Sequence, residues 1–98
     1  MIEYLYNGIR AHAGNDLVIS AIVTNEAGEE VTSGVLLVLH DKDRKTMLYA
    51  VEGTYSEETK EIAFVIPKDI TEGKNGRYWY CFTQDGNALC FKEPIYLV

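Results

Sequence analysis

Four side chains in this sequence, His12, His40, Cys81 and Cys90, carry the groups from which acid–base, nucleophilic or thiolate-metal chemistry is commonly built. Such chemistry needs a nucleophile, a base and an orienting group within reach of one another. His12 adjoins turn residues, while His40 closes an apolar run and precedes Asp41. No Gly-x-Ser-x-Gly or His-x-x-x-His pattern accompanies either, so both are expected at the surface or at a strand end. The cysteines form no Cys-x-x-Cys pair of the kind that holds zinc. Asp41-Lys42-Asp43 places two carboxylates close together, but calcium takes about six to eight oxygen ligands, and the interleaved basic residues oppose it. That segment reads as a solvated hairpin turn. Glu29-Glu30 and Glu57-Glu58 read as charged loop positions that keep strand edges soluble, and no Gly-rich phosphate loop is present. The expectation is a chain with no catalytic residues, no metal and no cofactor.

The seven tyrosines offer a different chemistry, a stacking platform for sugars. At strand positions Tyr more often packs its ring into the core and leaves the hydroxyl at the rim. Carbohydrate or surface-ligand binding is therefore the second reading. Net charge is −6 and evenly spread, with four bases against seven acids in residues 1–49 and five against eight in residues 50–98. This balance argues against nucleic acid, whose affinity comes from clustered Lys and Arg, and against anionic membrane surfaces. No apolar run approaches the roughly 18 residues of a spanning helix. Nor does a basic stretch followed by an apolar one open the sequence, so no secretory signal is expected.

These side chains must be positioned by strands. Apolar alternation recurs at the spacing of a sandwich or barrel: Ile2–Tyr6, Leu17–Thr24, Val35–His40, Thr46–Val51, Glu61–Ile66, Arg77–Thr83 and Ala88–Val98. Leu17, Ile19, Ala21 and Val23 share one face, as do Ile62, Phe64 and Ile66. Val35–His40 is nearly continuous, as in a central strand covered on both sides. Gly, Asn and Asp clusters separate the strands, and the only helical hint is a single turn opened by Pro67. The 98 residues are expected to form one all-β domain, 1–98.

The last hairpin can be registered from its turn. Asp85-Gly86 suits a type I′ turn, which needs positive φ at both central residues. Gln84 then faces Asn87, Thr83 faces Ala88, Phe82 faces Leu89 and Cys81 faces Cys90. The last is a non-hydrogen-bonded pair with Cα atoms about 4.5 Å apart, at the short end of the disulfide range; in a reducing compartment the same pair stays as two thiols. Parity sends Tyr78, Tyr80, Phe82, Leu89 and Phe91 to the core and Trp79, Cys81, Thr83, Ala88, Cys90 and Lys92 to the outer face. An outward Trp beside small neighbours is a candidate contact patch, comprising Trp79, Cys81, Cys90 and Lys92. The competing expectation is that a loop, or Ile2–Tyr6, covers Trp79.

Gly76-x-Tyr78-x-Tyr80, six residues after Ile70, resembles the entry to strand F of immunoglobulin-like domains, with Tyr78 at the tyrosine-corner position. Tyr80 stands where antibody domains place a cysteine, and the early strands hold no cysteine. The resemblance therefore implies an Ig-like sandwich of seven antiparallel strands without the inter-sheet disulfide. A longer stretch is similar in pattern to small tailed-phage domains such as the N-terminal part of baseplate upper proteins. It runs from Gly14-Asn15-Asp16-Leu17 through Thr24-Asn25-Glu26-Ala27-Gly28-Glu29-Glu30-Val31-Thr32-Ser33-Gly34-Val35 to Glu61–Gly73 and Gly76-x-Tyr78-x-Tyr80. That resemblance implies a non-catalytic structural module of a phage or prophage tail, baseplate or neck. Such a module is made in the bacterial cytoplasm, acts through contacts with its own copies or neighbouring particle proteins, and forms a homo-oligomer.

Overall fold

The computed structural model describes residues 2–5, 8–25, 27–90 and 92–98. Among them are ten strand segments: β1 (Ile2–Leu5), β2 (Gly8–Ala11), β3 (Leu17–Ala21), β4 (Val35–His40), β5 (Met47–Glu52), β6 (Thr54–Ser56), β7 (Glu61–Ile66), β8 (Gly76–Gln84), β9 (Asn87–Ala88) and β10 (Glu93–Leu97). One helical turn, α1 (Lys68–Thr71), follows Pro67, as the sequence suggests. The larger sheet runs β1-β2-β10-β8-β4-β5, with β9 paired to the end of β8, and the smaller runs β3-β7-β6. The all-β expectation holds. Among the described residues no helix is long and apolar enough to cross a membrane.

Strand number and orientation depart from the expected seven antiparallel strands. Where one N-terminal strand is expected, β1 and β2 fold back on each other with Ile2 opposite Ala11. Strand β2 then lies parallel to β10, Ile9 beside Ile95, so one ladder is parallel. The closing segment Ala88–Val98 is broken into β9 and β10, and the three-residue β6 is added at the edge of the small sheet. So short a segment has no room to display a period. Tyr6 of the expected first strand lies outside the described residues.

Between the sheets the core follows the alternation. Leu17, Ile19 and Val23 are buried on one face of the β3 region, and Ile62, Phe64 and Ile66 on one face of β7. In β4, Val35, Leu37 and Leu39 point inward while Val38 is buried on the opposite face, so this central strand is covered on both sides in part. Phe64 and Tyr78 are buried as expected, but Tyr80 is only half-buried at the core's margin. Thr71 is fully buried; its Oγ1 accepts the Gly14 N–H at 3.0 Å and lies 3.2 Å from the Lys68 carbonyl as donor. This bond, with the Lys68 N–H donating to Asp16 Oδ1 at 2.8 Å, ties the β2–β3 turn to the helical crossover.

The hairpin turn forms as its residues dictate. Asp85 and Gly86 have φ of 51° and 81°, both in the left-handed region. Thr83 pairs with Ala88 and Gln84 with Asn87, and the Leu89 N–H donates to the Phe82 carbonyl at 2.9 Å. Beyond that the register changes. Glu93 faces Tyr80 and Pro94 faces Trp79, so the returning strand carries two extra residues after Leu89. The expected Cys81–Cys90 pairing is therefore not formed, and both cysteines are free, Cys81 buried and Cys90 exposed. An offset of two preserves parity, which lets Ile95 and Leu97 remain in the core; an offset of one would have turned them out. Phe91, expected on the core face, lies outside the described residues.

Candidate functional site

The outer face of the large sheet holds the cluster most unlike an ordinary solvated surface. Trp79 on β8 lies between His40 on β4 and Pro94 on β10, and Cys81 lies beside Val38. Parity faces Trp79 away from the core, as expected, but it is not an exposed patch: only 9% of its surface is accessible. Two guanidinium groups cover it, Arg44 at 4.2 Å and Arg77 at 4.9 Å from the ring centroid. Cation–π contacts of this kind favour Trp over other rings. Arg77 reaches the ring from two positions earlier on its own strand. Arg44 comes from the β4–β5 loop, which supplies the cover; β1 pairs instead with β2 at the far edge of the sheet.

That loop is built to hold Arg44 in place. Asp43 Oδ1 accepts the N–H groups of Lys45 and Thr46 at 2.8 and 2.9 Å, and its Oδ2 accepts the Thr46 hydroxyl at 2.6 Å. These bonds, the Thr46 hydroxyl first, hold the Asp43 carboxyl at a pKa of about 2. Asp41 accepts the Arg44 N–H on its carbonyl at 2.9 Å and the Lys42 N–H on Oδ1 at 2.7 Å. Arg44 itself has φ of 64°, a conformation costly for a residue with a Cβ and sustained only where neighbours fix it. The Lys92 ammonium donates to the Arg44 carbonyl. A register break between Leu39 and His40 on the β4–β5 ladder adjoins the loop, a common way to re-aim side chains at a strand end. The Asp41-Lys42-Asp43 turn thus spends its acids on its own backbone, and among the described residues no group of three or more His, Cys, Asp or Glu can hold a metal ion.

His40 Nε2 and Cys81 Sγ stand 3.8 Å apart. A thiol beside an imidazole is the starting point for a nucleophile, but the surroundings favour the uncharged pair. Burial raises the Cys81 pKa, Cys90 adds to this, and Lys92 opposes it. Burial lowers the His40 pKa, with Lys92 acting in the same direction against the Lys45 carbonyl and Asp43. Nevertheless no hydrogen bond of normal geometry reaches His40 Nδ1, and the indole Nε1 of Trp79 is likewise buried without a partner. Orphaned buried donors are rare in folded proteins. We expect a thiol reagent to modify Cys90 in the native protein and to reach Cys81 only after unfolding. Peptide mapping after timed alkylation checks this, and equal labelling of the two would contradict the burial of Cys81.

Of the residues singled out in the sequence, Trp79, Cys81 and Lys92 are brought together here, Cys90 is exposed beyond the register offset, and His12 is exposed away from the cluster. Sequence reasoning missed Arg44, Arg77 and the His40–Cys81 contact. The signal for Arg44 lay in the Asp-flanked turn that reads as plain solvated loop; for the rest it required the β4–β8 register. A groove of about 270 Å³ opens between the end of β3 and the last hairpin, lined by Ile22, Tyr80, Phe82 and Leu89 together with the polar Thr24 and Glu93. Comparison with protein-family models, with curated proteins and with solved structures found no match to this chain.

Proposed function

We propose that this chain is an Ig-like sandwich acting as a non-catalytic structural module. In this reading it makes protein–protein contacts through the outer face of its large sheet, as a component of a phage or prophage particle. The observation that carries the reading is the Trp79 cluster. Contact hot spots are enriched in Trp, Tyr and Arg, and this face sets Arg44 and Arg77 on Trp79, with Tyr96 directly across from Arg77. Strand order supports the Ig-like part: β10-β8-β4-β5 against β3-β7-β6 follows the G-F-C-C′ and B-E-D orders of variable-type domains. The pairing of β1 and β2 with the large sheet leaves the outer edge of β3 without an A strand. The placement in a particle rests on the sequence pattern shared with baseplate upper proteins.

Sedimentation velocity of the wild type, Trp79→Ala and Arg77→Glu, each checked by circular dichroism, tests the contact. With the indole already covered by Arg44 and Arg77, its removal is expected to weaken self-association by releasing those two side chains from their places on the face. Arg77→Glu, on an exposed residue, should do so while leaving the fold intact. Unchanged association in both folded variants would remove this face from the contact. The carbohydrate reading would place the ligand in the groove by Tyr80 and Phe82, where Thr24 and Glu93 stand beside the two rings.

A further inference from the structure

We infer that the Trp79 cluster is a carboxylate-binding site, built to take an Asp or Glu side chain from an acidic segment of a neighbouring protein subunit. The inference rests on the contact reading above and names the chemistry of the partner.

Three observations converge. First, the site concentrates positive charge on an acidic protein. Arg44 and Arg77 meet on Trp79 and the Lys92 ammonium donates to the Arg44 carbonyl, while Arg10, across Tyr96 on β2, has Glu3 opposite it on β1. Second, the guanidinium groups of Arg44 and Arg77 have no ion-pair partner among the described residues. Asp41 and Asp43, the nearest loop acids, are tied to backbone and hydroxyl donors of their own turn. Among the described residues no carboxylate pairs with Arg44, Arg77 or Lys92, whose recorded contacts are with the indole ring and a carbonyl. Third, the two guanidinium groups lie over the Trp79 ring while its Nε1 is itself covered, so a ligand at this face meets the guanidinium groups and not the indole N–H. A carboxylate supplies what the guanidinium groups lack, since they bind carboxylates in a two-pronged fashion.

The geometry favours an acid on a protein over a small free anion. Arg44 is held by a strained loop and Arg77 by a central strand, so the backbone positions from which both guanidinium groups reach the ring are set before binding. From Arg77 the outer face continues through Tyr96 on β10 to Arg10 on β2, a line of residues that suits an extended acidic segment laid across the strands. Charge complementarity of this kind also steers the encounter between acidic partners that otherwise repel.

Trp79 is the chain's only tryptophan and reports on its own site. The test titrates hexaglutamate into the wild type, Arg44→Gln and Arg77→Gln, following Trp79 emission at low ionic strength and again at about 0.5 M salt, where screening is strong. Expected is a saturable change in the wild type that fades with salt, and a loss of affinity of about tenfold or more in each variant. Both variants keep the loop bonds and the strand, and their circular dichroism should match the wild type. Acetate at equal carboxylate concentration and a heparin-derived hexasaccharide form the control arms. A response to acetate equal to that of the peptide would reduce the site to a free-anion site and overturn the inference. Tighter binding of the sulfated sugar would overturn it in favour of a glycan. No saturable response, or equal affinity in the variants, would overturn it outright. If Trp79→Ala abolishes self-association while hexaglutamate leaves the emission unchanged, the contact stands and only its proposed chemistry falls.

Discussion

Phe64→Ala is expected to cost about 3–5 kcal/mol of folding stability, the range for deleting a buried aromatic ring that its surroundings cannot refill. Phe64 is fully buried at the centre of β7, where it faces Ile19 on β3 and meets the Phe82 ring across the sandwich at 5.1 Å between centroids. Phe82 in turn stacks edge-on against Tyr80 at 5.9 Å. The ring therefore joins the two sheets, and a cavity at that point is bounded by backbone ladders on both sides that resist collapse. Against a total stability of about 5–15 kcal/mol for a domain of this kind, the loss is large. Thermal unfolding should show a fall in midpoint on the order of 20 °C. A loss below about 1 kcal/mol, under the range set by cavity formation, would mean that this face of β7 does not form the core.

Gly53→Ala is expected to be among the more damaging single-methyl additions in the chain, costing about 1–3 kcal/mol or more by overpacking. Gly53 lies between β5 and β6, where the backbone leaves the large sheet for the small one, and its N–H donates to the Val35 carbonyl at 3.1 Å. A Cβ there would fall 2.3 Å from Ile62 Cγ2 and 2.6 Å from Phe64 Cε1. Neither neighbour can retreat: Ile62 and Phe64 are 2% and 0% exposed, packed on a strand paired on both edges. Since Phe64 supplies part of the clash, the two substitutions should not add. The double variant should be more stable than the sum of the single losses implies, a coupling read directly from a mutant cycle in denaturant.

Those two positions were legible in the sequence to different degrees. Phe64 announces itself by sharing a period of two with Ile62 and Ile66, because a strand half-buried on one face must alternate. Gly53 gives no such sign. Its constraint comes from the β6–β7 pairing, whose register carried on by one residue sets Gly53 opposite Phe64, and the Ile62 and Phe64 side chains lie over it only once that ladder is packed into the core. The Asp85-Gly86 turn was equally readable, since positive φ at two adjacent residues is a demand the chain meets locally.

The sequence by itself determined the all-β class, the core faces of β3, β7 and β8, and the turn of the last hairpin. Each follows from interactions among residues close in the chain. Tertiary structure alone decided the site. Cys81 and Cys90 are separated because turn chemistry governs only the first pairs of a hairpin; farther out, β10 must satisfy β8 on one side and β2 on the other while burying Ile95 and Leu97. Arg44 and Arg77 meet on Trp79 because β4 lies beside β8 with His40 opposite Trp79, which brings the β4–β5 loop over the ring. That register joins strands some forty residues apart, and it is fixed by how the whole sandwich packs, which no local pattern of residues encodes.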